Sequence, residues 1–187
     1  MSENLEIYKI LVVGLEAEER SKFVEKISNG KFLNDTKDTI GVEFNLMSNT
    51  FELNGKEQVL GFQFWDMNED IRYKSIREYY VLGTQGLILC TTKGDIDEIN
   101  YLNEWIEDIN KFLKKDVPKI LVRITTDLKE NKISEKNRSS VEKFIKKWNI
   151  DDYFEIATIT GDNNAKVLEV LAKLCFKNSS ISKKHLN

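Results

Sequence analysis

The sequence predicts an α/β fold: a six-stranded, mostly parallel sheet with one antiparallel edge strand and helices on both faces. Three observations predict it. Short apolar runs alternate with amphipathic helical stretches along most of the chain, the pattern of strand–helix–strand units. One pair of runs meets instead across Asn54-Gly55, a two-residue hairpin signal that puts an antiparallel strand at one edge. Finally, Gly14 to Ser21, read G-L-E-A-E-E-R-S, follows the first apolar run and opens a helix, where a phosphate-binding loop of pattern G-x-x-x-x-G-K-[ST] would stand.

Taken in order, Glu6 to Val13 reads as a strand apolar enough to be buried on both faces. Phe23, Val24 and Ile27 give the next helix one apolar face, and Asn29-Gly30 ends it. Val42, Phe44 and Leu46 alternate with polar residues, but Phe51 and Leu53 resume on the other parity, which predicts a bulge or a long twisted strand. Val59 to Trp65 is the returning strand. Met67 to Tyr80 is charged, then aromatic, and helical towards its end. Gly86 to Thr92 is a buried strand. Asp97 to Lys114 carries Ile99, Leu102, Trp105, Ile106, Ile109, Phe112 and Leu113 on one helical face. Lys119 to Ile124, following the only proline, is a strand. Ser134 begins a helix that buries Val141, Phe144, Ile145 and Trp148. Tyr153 to Thr158 is the last strand and Asn163 to Phe176 the last helix. One domain over residues 1–176 is expected, with a polar, disordered tail over 177–187.

Composition narrows the function. The chain has 187 residues, 41% hydrophobic and 32% charged, as a soluble domain with a full core does. A net charge of −3 supplies no basic field, so a nucleic-acid partner is not expected. No apolar run is long enough for membrane insertion, and the start of the chain lacks the features of a signal peptide, so a cytoplasmic protein is expected. Cys90 and Cys175 lie in apolar stretches and read as buried thiols. The single histidine, His185, lies in the polar tail, which argues against histidine base catalysis and against a His/Cys zinc site.

Several further stretches carry a resemblance. T-I-G-V-E-F at Thr39 to Phe44, F-E-L-N-G-K at Phe51 to Lys56, Trp65-Asp66, R-E-Y-Y at Arg77 to Tyr80, and G-L-I-L at Gly86 to Leu89 are similar to the switch and interswitch sequences of the Rab branch of the Ras-superfamily small GTPases. N-E-W-I-E-D-I-N and V-P-K-I-L-V fit that family's third helix and fifth strand. The resemblance covers about residues 6 to 176 and implies the P-loop small-GTPase fold, a GTP/GDP site with Mg²⁺, and effector proteins read out at the switch surface.

Residue by residue, the nucleotide motifs depart from that pattern. Gly14 and Ser21 match, and Ser21 would hold Mg²⁺. Arg20 stands for the lysine and Glu19 for the second glycine. Thr39 matches the threonine that senses the outer phosphate through Mg²⁺. In the family's D-x-x-G-Q, Asp66 remains, whereas Glu69 replaces the glycine and Asp70 the glutamine that orients water. Of N-K-x-D only Asp127 remains, and S-A-K appears as Ala157-Thr158-Ile159.

The physical consequence is adverse to an anion. Glu16, Glu18 and Glu19 against Arg20 leave the loop at −2. A carboxylate about 4 Å from a phosphate charge costs on the order of 4 kcal/mol at an effective dielectric near 20, roughly a thousandfold in affinity. Arginine's planar fork is also no direct substitute for a lysine point charge. The same acids would stabilise a helix N-terminus. Each retained position has a plainer reading too: Gly14 as a tight-turn residue, Ser21 as a first-turn residue, Asp66 as a strand end, Asp127 as a turn, and Trp65 as packing.

Two readings follow. The first is a pseudo-GTPase without nucleotide cofactor, with no catalytic residue, that serves as a protein–protein interaction module in signalling or trafficking. Its partner surface would be Ile40, Gly41, Val42, Phe44, Phe64, Trp65, Tyr73 and Tyr80. The second is an atypical GTP-binding switch in which Arg20 replaces the lysine, Ser21 and Thr39 hold Mg²⁺ and Asp127 reads the base. A monomer is expected in either case, and the absence of cysteine after Phe176 leaves no site for C-terminal prenylation.

Overall fold

The computed structural model describes residues 5–28, 42–67, 77–128, 132–161 and 163–184. Thr39, Ile40, Gly41, Glu69, Asp70, Tyr73 and His185 lie outside the described residues.

The elements follow in the order β1 (Glu6–Gly14), α1 (Ala17–Ile27), β2 (Val42–Leu53), β3 (Lys56–Met67), α2 (Arg77–Val81), β4 (Gly86–Thr91), α3 (Ile96–Asn110), β5 (Lys119–Thr125), α4 (Glu135–Trp148), β6 (Asp152–Ala157) and α5 (Asn164–Lys184). The six strands form one sheet in the order β2-β3-β1-β4-β5-β6. The β2–β3 pair is antiparallel and the other neighbours are parallel, so the strand order reverses beside β1. Crossover helices feeding parallel strands bring the loops after β1, β3, β4, β5 and β6 to one edge, where α/β sheets place their ligands.

Alternation along the strands divides the core into two layers. Tyr8, Ile10 and Val12 of β1, with Phe62 and Phe64 of β3, pack against Phe23, Val24 and Ile27 of α1 and Val167, Leu171 and Cys175 of α5. Leu11 and Val13 of β1, with Leu87 and Leu89 of β4, pack against Ile99, Leu102, Trp105 and Ile106 of α3 and Val141 and Phe144 of α4. Both cysteines are buried and free, and burial pushes both thiols up, Cys175 to about 12.

The parity change in β2 is resolved in favour of a long twisted strand. Register runs unbroken from Val42 opposite Met67 to Leu53 opposite Lys56, with no bulge. Met47, Phe51 and Leu53 lie in the α1/α5 layer, while Val42 and Phe44 join the α3/α4 layer. The strand therefore buries a different face at each end. Asn54 and Gly55 both have positive φ, 54° and 73°, as a type I′ hairpin requires.

The helix before β4 is described over Arg77–Val81, in keeping with a helix towards the end of the Met67 to Tyr80 stretch, whose residues 68–76 lie outside the described residues. One boundary moves. The last helix runs on to Lys184, eight residues beyond Phe176, so those residues are not the disordered tail that their polarity suggests. A tertiary tie accompanies the extension: the Tyr8 hydroxyl and the Ser179 hydroxyl share a hydrogen bond of 3.1 Å, and burial raises the Tyr8 phenol to about 12.

Candidate functional site: the ends of β1, β3, β4 and β5

Gly14 ends β1 with φ 152°, a conformation that favours glycine, and a Cβ there would stand 2.3 Å from the Cys90 carbonyl oxygen on β4. Only Leu15 and Glu16 then separate the strand from α1. Glu16 takes a left-handed conformation (φ 60°, ψ 64°), its side chain makes no cap hydrogen bond, and its carbonyl accepts from Arg20 N–H at 3.1 Å. Helix thus begins at Ala17 and occupies the second half of the stretch in which a phosphate loop would wrap its ligand.

Arg20 is 2% exposed. Its Nε donates to Asp66 Oδ1 and its Nη1 to the Gly14 carbonyl, both in close contact, and its Nη2 donates to the Met67 carbonyl at 2.8 Å. The Ser21 hydroxyl donates to the other Asp66 oxygen at 2.6 Å. One guanidinium therefore joins the end of β1 to the end of β3, with both oxygens of a carboxylate that is itself 3% exposed engaged between Arg20 and Ser21. Asp66 lies inside β3, so it does not end the strand.

Glu19 faces away from this cluster, and its neighbours soften the charge that the eight-residue stretch suggests. Lys22 Nζ reaches Glu18 at 2.7 Å and Glu19 at 3.3 Å. The hydrogen bonds hold Glu18 below the usual carboxylate range and raise Lys22. Lys22 is one residue past the stretch, which is why counting Gly14 to Ser21 alone overstates the local negative charge.

A cavity of ≈ 600 Å³ opens beside Glu16 and Glu19, within the size range of small-molecule sites. Thr92 and Lys93 after β4, Arg123 and Thr125 of β5, and Lys132 before α4 supply other walls. The back wall is rigid. Arg123 donates to the Thr92 carbonyl at 3.3 Å and to Glu155 at 2.7 Å, and Glu155 also accepts from the Tyr153 hydroxyl at 3.0 Å. Burial, reinforced by Glu155, pushes the Tyr153 phenol up. Asp127 is half-buried after β5 and is not among the residues lining this cavity. The ends of β5 and β6 are tied together by Thr158, whose N–H and hydroxyl both donate to the Thr125 carbonyl, at 2.7 and 3.2 Å.

The loop after β4 holds a buried carboxylate that sequence reasoning missed. Glu98, 5% exposed, accepts from the N–H groups of Thr92, Lys93 and Gly94 at 2.9–3.0 Å and from the hydroxyls of Thr91 and Thr92. Asp95 caps α3 by accepting from Glu98 N–H at 3.1 Å. The D-x-x-E spacing of Asp95 and Glu98 is a capping-box signal and could have located it.

The proposed partner surface divides. Phe44 and Trp65 meet edge to face with ring centroids 4.5 Å apart, and Trp65 and Tyr80 lie 5.9 Å apart, all half-buried on the α3/α4 side. Phe64 does not belong with them. It is fully buried in the opposite layer, stacked on Phe62, because consecutive strand residues point to opposite faces. Val42 is on the correct side but only 5% exposed, so it supports this surface rather than presenting itself.

The profile of the Ras family matches residues 9–177. The chain is 30% identical over 129 residues to GTP-binding protein YPT1 of Saccharomyces cerevisiae, covering 69% of this chain and 61% of that protein. It is 29% identical over 126 residues to GTP-binding protein YPTM1 of Zea mays, covering 67% and 59%, and 27% identical over 127 residues to Ras-related protein RABD2b of Arabidopsis thaliana, covering 68% and 61%. The match spans about three-fifths of the length of these relatives. Among the described residues, no helix is long and apolar enough to cross a membrane.

Proposed function

The chain belongs to the Ras family, with a Rab-like small-GTPase fold, and from that premise we propose that it is a pseudo-GTPase acting as a protein–protein interaction module in signalling or trafficking. The observation that carries the reading is the Arg20–Asp66–Ser21 cluster. A family member that binds GTP with Mg²⁺ needs a cation reaching the outer phosphates, a serine oxygen for the metal and an aspartate near it. Here the three groups at those positions satisfy one another. Arg20 is turned inward onto two carbonyls and a carboxylate, and Ser21 donates its proton to that same carboxylate.

The residues do not fit Mg²⁺–nucleotide in this arrangement. Opening the cluster for a phosphate would strip a buried ion pair, and removing one partner from such a pair costs about 3–5 kcal/mol. The early start of α1 replaces glycine-rich wrapping by a helical turn, with Glu19 at the position where the motif requires a glycine. We assign the partner surface to the Phe44–Trp65–Tyr80 cluster, extended by Ile40, Gly41 and Tyr73, and the module to a cytoplasmic monomer that binds effector-like proteins. Edge-to-face aromatics that are half-exposed offer large rigid contact area at little entropic cost.

The test is the nucleotide content of the full chain purified without added GTP, read by chromatography after denaturation. No stoichiometric GTP or GDP is expected, and stoichiometric nucleotide overturns the proposal. Calorimetric titration with GTP and Mg²⁺ should give no heat up to millimolar ligand. A micromolar site lost in Asp127→Ala would identify the chain as a nucleotide-binding switch with Arg20 in the lysine's place.

A further inference from the structure

Trp65 is held in an unusual way. Its indole N–H is buried and, among the described residues, has no hydrogen-bond acceptor. Its orientation therefore depends on what meets the ring: the edge-to-face contact of Phe44, the tilted ring of Tyr80, and a cation. The cation is Lys9, whose Nζ sits 3.4 Å from the centroid of a Trp65 ring. The same ammonium donates to the Leu82 carbonyl at 2.8 Å, just past the end of α2. The Lys9 backbone is fixed independently, its N–H donating to the Gln85 side chain at 3.1 Å and its carbonyl accepting from Gln85 N–H at 2.8 Å. A single side chain thus links β1, the aromatic ring on β3 and the segment that carries Tyr80.

We propose that Lys9 is the positioning residue of the aromatic face: its ammonium, seated on Trp65 and tied to the end of α2, holds Phe44, Trp65 and Tyr80 in one arrangement, and loss of its charge releases the ring. Ring attraction for a cation is electrostatic and disappears when the amine is neutral, whereas an N–H donor to Leu82 survives deprotonation. The released element is therefore Trp65, not α2.

The surroundings make that charge sensitive. Lys9 is half-buried, and burial alone lowers its pKa to about 8. Gln63, opposite it on β3, is neutral, and β4 carries no charged residue. The charged residues on the elements around it are Glu6 on its own strand, Lys56, Glu57 and Asp66 on β3, Arg77 and Glu78 on α2, and Asp97, Glu98, Glu104, Glu107 and Asp108 on α3, which packs on the same face of β1. None of them forms an ion pair with Lys9 among the described residues, and Asp66 points to the opposite face with Arg20. A half-buried ammonium with no carboxylate beside it to offset the cost of burial loses its proton below the ordinary lysine range.

The consequence for partner docking rests on the proposed aromatic surface, but the test does not. The full chain is labelled with 5-fluorotryptophan and followed by ¹⁹F NMR from pH 6.5 to 9.5, with the Trp65 signal assigned by Trp65→Phe. The Trp65 resonance is expected to titrate with a midpoint near about 8, while the Trp105 and Trp148 resonances do not follow it. Lys9→Arg, which keeps a cation over the ring, should hold the low-pH position throughout. Lys9→Met should show the high-pH position at every pH. A Trp65 resonance that does not titrate, or that titrates unchanged in Lys9→Arg, overturns the proposal even if Lys9→Met does not fold. Neither result bears on whether nucleotide binds, so failure here and failure of the pseudo-GTPase reading are separable.

Discussion

The ends of β1 and β4 are neighbours in the sheet, and each is closed by a buried carboxylate, but in opposite ways. After β1, Asp66 is neutralised by one cation, Arg20, with Ser21 as an auxiliary donor. After β4, Glu98 is held by three backbone N–H groups and two hydroxyls, without an ion-pair partner among the described residues. A single charge pair is close to all-or-none, because losing Arg20 leaves a buried anion facing, among the described residues, one hydroxyl donor. A nest of dipoles spreads the same task over five donors and tolerates the loss of any one. The β1 end is thus the more fragile of the two and the better place to test what the cluster does.

The largest expected effect follows from that fragility. Arg20→Met should lower stability by about 3–5 kcal/mol, read as a shift of the urea midpoint at unchanged slope. Arg20→Met combined with Asp66→Leu should recover most of the loss, because the pair is then replaced by apolar groups of similar volume. A double variant as unstable as the single one would show that the cluster contributes more than charge compensation.

Glu98→Gln keeps the shape and one acceptor but discards the charge, and it should cost about 1.5–3 kcal/mol. Because its donors belong to the Thr91–Gly94 loop, the loss should appear first as faster amide exchange at Thr92, Lys93 and Gly94. A cost equal to that of Arg20→Met would erase the distinction between the two ends.

Lys9 gives a smaller effect, set by pH. Its folded pKa, about 8, is below the unfolded 10.5, so the unfolded chain binds more protons between these values and stability rises with pH across that window. Above about pH 10 the Tyr8 phenol, raised from 10.0 to about 12, acts in the opposite sense and stability falls. Wild type should therefore gain stability relative to Lys9→Met between pH 8 and pH 10, measured by paired urea titrations. A difference independent of pH removes Lys9 from the account. The smallest change, away from both strand ends, is Gly55→Ala. Nothing lies within 4 Å of the added Cβ, so only the backbone cost at φ 73° remains, about 1 kcal/mol.

Much of the fold was legible because its signals are local. Asn54-Gly55 specifies its own turn, and the alternation of apolar runs with amphipathic stretches specifies a mostly parallel sheet with helices on both faces, though not the order of its strands. The parity change in β2 was also visible, though only the unbroken register decides between a bulge and a twisted strand that changes faces. The site was less legible. That Arg20 turns inward depends on Asp66, 46 residues away in sequence, and on two carbonyls that no side-chain pattern reports. Phe64 was grouped with Trp65 by motif, although strand alternation alone separates them. The last helix outruns its apolar pattern, with Ser179 meeting Tyr8, a contact between residues 171 apart.

Gly14 answers to a constraint of its own. The Cys90 carbonyl leaves no room for a side chain there, whatever the neighbouring loop binds. The residue is set by how closely β1 and β4 approach, so its presence is by itself no sign of an anion site. One glycine can answer to the architecture of the sheet as fully as to any ligand, and the same letter in a motif then carries two independent demands.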